Sequence, residues 1–289
     1  MFLCWVLQQI FIETEKIIHD MNALQKLIDA NKNNKFICVG LDTDPAKLPK
    51  SVLKETNPVL EFNRRIIEST KNFTAAYKLN FAFYESEGIS GLKNLEETLK
   101  YIPESILTIG DAKRGDIGNT SQKYAHAVFN QFGFDAITLN PYMGYDSISP
   151  FLEYSEKLNF ILALTSNPGA DDFEKLKLHD DMFLYQKVIN SVKQWNSKKN
   201  CGIVFGATKI DELKSNLELI DELPVLLPGV GAQGGNLEDL IETFHVHGRK
   251  NYLINLSRGI IYKDSSESFD KTAQSEIERL NLSVLKILS

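Results

Sequence analysis

The chain has 289 residues, 43% apolar and 24% charged, the composition of an ordinary globular protein with ample material for a core. Its formal charge of −6 argues against nucleic acid or an anionic membrane as a partner, although a locally basic pocket could still take a small anionic substrate. The cysteines, Cys4, Cys38 and Cys201, lie far apart with no C-x-x-C or Cys/His metal spacing, which fits buried hydrophobes in a reducing, cytoplasmic setting.

No stretch is long enough to span a bilayer. Residues 1–12 are apolar but lack a basic start and a small-residue cleavage site, which argues against a signal peptide. Residues 1–20 carry Phe2, Leu3, Trp5, Val6, Leu7, Ile10, Phe11 and Ile12, too many apolar side chains for a free polar tail. They are expected to form an upstream extension that packs as a helix against the outside or bottom of the domain, or does not pack. Met21, Leu24, Leu27 and Ile28 have helical spacing.

A strand-then-helix unit then recurs eight times. Strand-like runs begin near Phe36, Thr74, Ile106, Asp135, Asn159, Cys201, Pro224 and Tyr252. Amphipathic helical stretches are predicted at 59–69, 94–101, 121–131, 148–157, 182–198, 210–220, 237–245 and 267–287. The interval between strands is roughly thirty residues, the length of a βα unit. Strands apolar on both faces, in eight such units, read as an α/β fold: a closed parallel (β/α)8 TIM barrel forming a single domain over residues 21–289. Polar residues cluster where nearly every strand ends: Asp42, Lys78, Asn80, Asp111, Lys113, Asn140, Thr165, Ser166, Gln233 and Arg258. Barrel enzymes build their sites on that rim, whereas an open sheet would gather them at one switch point. The long connection at 167–181, NPGADDFEKLKLHDD, reads either as a surface excursion or as part of a lid.

The most loaded stretch is LTIGDAKRGDIGNT, 107–120. Side chains two apart on a strand share a face, so Asp111 and Lys113 point the same way at the strand end. Gly115 lets the chain turn, and Asp116 opens the next predicted helix. Lys78 ends the neighbouring strand and can reach Asp111 and Lys113. Two ammoniums and two carboxylates then stand together. A lysine with carboxylate neighbours stays protonated, which makes it a poor base and a well-placed acid. It could deliver a proton to a carbanion without a metal or an organic electron sink. Two further segments look built for phosphate. The first is LPGVGAQGG, 227–235, which includes Pro228; the second is NLSRG, 255–259, with Arg258 as a planar fork for phosphate oxygens. None of the five histidines lies beside a serine or cysteine nucleophile in a recognisable motif.

The run DAKRGDI at 111–117 resembles the signature of the orotidine 5′-phosphate decarboxylase family, in its second bacterial-type subfamily. The resemblance extends from Phe36 to about Lys263 through VGLD, YKLNFAFYE, DAKRGDIGNT, TLNPYMGYDS, TSNPG, LPGVGAQGG and SRGI, in that family's order. It implies decarboxylation of orotidine 5′-phosphate to UMP without cofactor or metal. It also implies roles. Asp42 binds a ribose hydroxyl with Lys78 and Asn80 nearby, Asp111 crowds the substrate carboxylate, and Lys113 protonates C6. Asp116, Ile117 and Thr120 reach into a partner subunit's site, making a homodimer with shared active sites. Thr165 and Ser166 meet the base, Gln233 bridges base and phosphate, and Arg258 with Pro228 holds the phosphate. Two alternatives stay open. One is a Mg²⁺-dependent keto-sugar phosphate decarboxylase or synthase of the same barrel superfamily, which puts an acidic residue near the Lys78 position. The other is a non-catalytic nucleotide-binding protein.

Overall fold

Eight strands with apolar residues on both faces need packing partners on both faces. The computed structural model, which describes residues 21–231 and 235–289, supplies them in a closed parallel barrel whose strands follow chain order and in which the first strand pairs with the last. The strands are β1 (Ile37–Gly40), β2 (Ala76–Asn80), β3 (Leu107–Arg114), β4 (Ala136–Leu139), β5 (Leu158–Leu164), β6 (Cys201–Phe205), β7 (Val225–Pro228) and β8 (Tyr252–Leu256). Each begins within two residues of its predicted start. The expectations for residues 1–20 and for Gln233 lie outside the described residues.

The helices are α1 (Ala23–Lys32), α2 (Pro58–Thr70), α3 (Phe81–Glu85), α4 (Gly88–Leu99), α5 (Gly118–His126), α6 (Tyr145–Leu152), α7 (Ala170–Phe173), α8 (Leu184–Trp195), α9 (Ile210–Ile220), α10 (Leu237–Val246), α11 (Arg258–Ile261) and α12 (Phe269–Leu288). Local chemistry sets many of the starts. Asn22, Asn57, Asn80 and Asn236 each accept a backbone N–H at a helix N-terminus, and Pro58 supplies the fixed φ favoured in a first turn.

The core has two layers. Inside the barrel, Cys38, Ala76, Leu107, Ile109, Ala136, Leu158, Phe160, Val204, Leu226 and Leu253 pack together, with Ala23 and Leu27 of α1 against them. Helix α1 therefore closes the N-terminal end of the barrel. It is held there by the Ala23 N–H on the Glu156 carbonyl at 2.9 Å and by a Lys26–Asp135 ion pair at 2.8 Å. The second layer lies between strands and helices and holds aromatic stacks such as Phe62–Phe269 and Phe244–Tyr252. Cys38 and Cys201 are buried and unpaired, and burial pushes both thiols up to about 12. Among the described residues no helix is long and apolar enough to cross a membrane.

Several helix bounds differ from expectation, and the 167–181 segment, ambiguous in sequence, takes a definite form. Helix α4 begins at Gly88, earlier than predicted, because a glycine-rich GISG run is helical here. Gly91 lies so close to the Tyr84 carbonyl that a Cβ would fall 1.9 Å from its oxygen, so α4 can pack against α3 only with glycine at that position. Helix α5 begins at Gly118 and not at Asp116, and it relaxes into one π turn over Ala127–Gln131. The 167–181 excursion is built. Helix α7 opens it, Lys177 pairs with Phe183 in an antiparallel bridge, and Lys175 forms an ion pair with Glu212 of α9.

Candidate active site

Strands β2 and β3 pair in register as far as Asn80 opposite Asp111, so Lys78 and Asp111 reach the same rim. Lys78 Nζ donates to Asp111 Oδ2 at 2.8 Å and lies 3.5 Å from Asp42 Oδ1. Lys113 Nζ donates to the other oxygen, Oδ1, at 2.7 Å. One carboxylate thus holds two ammoniums. The Lys78 side chain is only 4% exposed and that of Asp111 11%, whereas Lys113 is 51% exposed and reaches into open space. Burial alone would push the Lys78 ammonium down, but Asp111 and Asp42 outweigh it and hold the lysine above its ordinary range. Burial alone would raise the Asp111 carboxyl, but Lys78 and Lys113 reverse this and hold it well below the carboxylate range. Both groups are charged at neutral pH.

The approach of Lys113 to Asp111 does not follow simple strand alternation. Between its contacts with β4, β3 advances from Gly110 to Arg114 while β4 advances only from Ile137 to Leu139. Two extra residues are extruded as a bulge over the rim. Lys113 adopts φ 47°, an uncommon left-handed conformation for a non-glycine residue. Its N–H donates to Thr138 Oγ1 at 3.0 Å, and that hydroxyl donates to Asp111 Oδ1 at 2.9 Å. Beyond the bulge, the Arg114 guanidinium lies over the rings of Phe81 and Tyr124 and pairs with Glu85.

Asp42 follows β1 and is positioned by a buried polar network. Its carbonyl lies 3.4 Å from the Tyr262 hydroxyl, which also accepts the Asp44 N–H. The flanking Leu41 carbonyl accepts from Tyr84, and Thr43 donates to the buried Asn63. A cavity of about 180 Å³ opens between these groups and the phosphate-like segments. Asp42 just past β1 and Lys78, Asn80 and Asp111 of β2 and β3 wall it on one side, and Pro228 of β7, Asn255 of β8 and Arg258 just past β8 on the other. Gly229 and Gly231 have φ of 103° and 75°, conformations that glycine adopts without strain, and the loop closes through the Gly235 N–H on the Gly229 carbonyl. Arg258 opens the short α11 beside this loop, the position where barrels commonly bind phosphate. A larger cavity of about 750 Å³ lies at the opposite end, lined by residues including Leu24, Cys201 and Pro224. It is remote from the rim charges, and we place the chemistry at the smaller one.

The remaining predicted residues fall on the same rim but outside this cluster. Asp116 forms no ion pair with Lys78 or Lys113; its Oδ1 accepts the Ile117 N–H at 2.8 Å. Ile117 is 61% exposed, and Thr120 is exposed on the first turn of α5. Thr165 is engaged locally: its N–H and hydroxyl both contact the Glu174 carboxylate, at 2.7 and 2.9 Å, which ties the 167–181 excursion to the end of β5. Ser166 is half-buried beside it, its carbonyl 3.4 Å from the Thr208 hydroxyl. Sequence reasoning missed Thr138 and Asn255. Asn255 Oδ1 is buried without a hydrogen-bond partner among the described residues, on the cavity wall. For Asn255 the available signal was an amide inside an apolar strand run; a threonine such as Thr138 gives no such signal.

Known proteins resemble this chain in sequence and in shape. The profile described as "Orotidine 5'-phosphate decarboxylase / HUMPS family" matches residues 35–269. Orotidine 5'-phosphate decarboxylase of Dehalococcoides mccartyi is 45% identical over 264 residues, covering 90% of this chain and 96% of that protein. The protein of the same name from Christiangramia forsetii is 47% identical over 252 residues, covering 86% and 92%. Among solved structures, Leishmania donovani OMP decarboxylase superposes with a TM-score of 0.77 at 33% identity, covering 91% of this chain and 100% of that one.

Proposed function

The chain belongs to the orotidine 5′-phosphate decarboxylase / HUMPS family, and from that membership we infer that it decarboxylates orotidine 5′-phosphate to UMP. It is a carboxy-lyase of pyrimidine biosynthesis. The observation that carries the reading is the Lys78–Asp111–Lys113 unit, one ionised carboxylate between two ammoniums at 2.8 and 2.7 Å on the barrel rim.

We assign the roles as follows. Arg258 with Pro228 holds the phosphate, Gln233 bridges base and phosphate, Asp42 binds a ribose hydroxyl with Asn80 nearby, and Thr165 and Ser166 meet the pyrimidine. These remote contacts place the substrate carboxylate beside Asp111, where like charges repel. The bond from C6 to the carboxylate carbon breaks, CO₂ leaves, and the electron pair remains on C6. Lys113 offers that carbanion a fixed positive charge and then its proton. Lys78 keeps Asp111 ionised and immobile between turnovers. No cofactor or metal enters this scheme, because Lys78 already neutralises the carboxylates that a cation would otherwise bridge. A Mg²⁺-dependent keto-sugar phosphate enzyme would want an acidic group at Lys78, and a non-catalytic nucleotide binder has no need of a buried lysine–carboxylate pair with a second, half-exposed lysine on it.

We further propose the second bacterial-type subfamily, a cytoplasmic location and a homodimer. Asp116, Ile117 and Thr120 lie on the rim but away from their own lysines, which supports their serving a second subunit's site. Residues 1–20 are proposed to be an extension that the barrel does not require. The test of function is chromatographic: the purified chain incubated with orotidine 5′-phosphate should yield UMP in equal molar amount to substrate lost. Substrate that stays intact while nucleotide binding is detectable would favour the non-catalytic reading.

A further inference from the structure

The catalytic strand ends in an arrangement that its own backbone does not support. Two residues of β3 are extruded between the register pairs Gly110–Ile137 and Arg114–Leu139, so the ladder with β4 is interrupted where Asp111 and Lys113 must be held. Lys113 also occupies a left-handed conformation, at φ 47°. Strain of that kind persists only where surrounding contacts over-determine it. The one β4 residue facing the bulge between those register pairs is Thr138, which is 2% exposed.

We propose that Thr138 is the positioning residue of the catalytic pair, with its single hydroxyl fixing Asp111 and Lys113 relative to each other. The chemistry of the hydroxyl makes its polarity unambiguous. Its oxygen accepts the Lys113 N–H at 3.0 Å, and its proton goes to Asp111 Oδ1 at 2.9 Å, because an ionised carboxylate can only accept. The same Oδ1 accepts from Lys113 Nζ at 2.7 Å. A ring is thereby closed from the Lys113 backbone, through the Thr138 hydroxyl and the Asp111 carboxylate, to the Lys113 ammonium. Both ends of one lysine are thus tied to each other through two hydrogen-bonded oxygens, Thr138 Oγ1 and Asp111 Oδ1. Without that hydroxyl, Oδ1 can rotate toward either ammonium, and the Lys113 N–H loses the partner that offsets its backbone strain.

This inference rests on the decarboxylase reading, in which Lys113 acts on a carbanion formed during the reaction. Misplacing Nζ should therefore slow the chemical step and leave ground-state binding, which belongs to the phosphate and ribose contacts, largely intact. A displacement of about 1 Å costs on the order of 10²-fold.

The test compares the full-length wild type with Thr138→Val, which keeps the shape and deletes the hydroxyl, and Thr138→Ser, which keeps the hydroxyl. Thr138→Ala serves as a second hydroxyl-less variant. Steady-state kcat and KM for orotidine 5′-phosphate, UMP binding and thermal unfolding are measured for each. The expected result is a kcat roughly ten- to a hundred-fold lower in the hydroxyl-less variants. KM and UMP affinity should stay within about threefold, and Thr138→Ser should lie within about twofold of wild type. Three results would overturn the proposal: a folded hydroxyl-less variant with more than half of wild-type kcat, a Thr138→Ser variant as impaired as Thr138→Val, or failure of both hydroxyl-less variants to fold, which would assign the hydroxyl to stability alone. A wild type that does not turn over orotidine 5′-phosphate would count against the decarboxylase reading itself; an active wild type with an equally active Thr138→Val counts only against Thr138.

Discussion

Lys78 is buried like a core leucine and is nevertheless charged. Desolvating an ion costs several kcal/mol, and one contact near 2.8 Å at an effective dielectric near 20 supplies about 6 kcal/mol of attraction, so a single buried pair roughly breaks even. The second ammonium, Lys113, tips the balance for Asp111, and the more distant Asp42 does the same for Lys78. Lys113 itself is half-exposed, so Lys113→Ala should cost little stability. It should lower kcat on the order of 10⁴-fold or more while UMP binding survives; steady-state kinetics retaining over a tenth of wild-type kcat would remove Lys113 from its role. The pKa shifts also fix a pH window. Asp111 is held below its unfolded value, so its contribution is present above about pH 3.9 and is lost as pH falls through the folded pKa. Lys78 is held above its unfolded value, so its contribution is full below about pH 10.4 and is lost as pH rises through the folded pKa. Asp111→Asn should therefore destabilise by about 3 kcal/mol. The gap in Tm from wild type should be flat between about pH 5 and 9 and should narrow below about pH 4. A gap that widens in acid would contradict this. Much of the triad was legible because charged residues at the end of apolar strands are costly and therefore informative. Thr138 was not, because a threonine in an AITL run reads equally well as an ordinary β-branched strand residue.

At the scale of elements, the exit of β3 shows where pattern reasoning stops. Alternation correctly brings Asp111 and Lys113 together, but for a different reason: a bulge of two residues, pinned by Thr138 and by the Arg114 ion pair with Glu85. Counting residues along a strand cannot detect residues added on one side of a ladder. The next residues are held by contact with β4's continuation. A Cβ on Gly115 would lie 2.6 Å from the Asn140 carbonyl oxygen, a backbone atom that cannot swing aside. Gly115→Ala should thus destabilise by about 1–3 kcal/mol and lower kcat/KM, measured by thermal unfolding and steady-state kinetics. An unchanged Tm and kcat/KM would mean the loop yields freely. Elsewhere, helix α9 falls on its predicted bounds because its apolar spacing is clean, whereas α4 starts early because Gly88, at φ 62°, and Gly91, packed on the Tyr84 carbonyl, read as breakers in the sequence. The 167–181 excursion was ambiguous because its anchors, Thr165–Glu174 and Lys175–Glu212, join residues that no local pattern couples.

Across the whole molecule, the eightfold βα period makes the barrel legible, and closure of β1 onto β8 brings the ends of all strands to one rim. The site then draws on β1, β2, β3, β7 and β8, five strands spread through the chain. Two apolar rim residues beyond it, Ile117 at 61% and Tyr142 at 78%, are exposed, as the proposed homodimer would need. If Asp116 serves its partner's site, mixing inactive Lys113→Ala and Asp116→Ala chains should restore activity. One site of the mixed dimer then receives both defects and the other neither. No recovery, with subunit exchange verified, would mean Asp116 acts in its own chain. The most direct single measurement is the rate at which orotidine 5′-phosphate absorbance is lost in excess EDTA and in added Mg²⁺. Lysine-driven decarboxylation gives turnover at the same rate in both. Turnover that disappears with the chelator and returns with Mg²⁺, or no turnover in either, would contradict it.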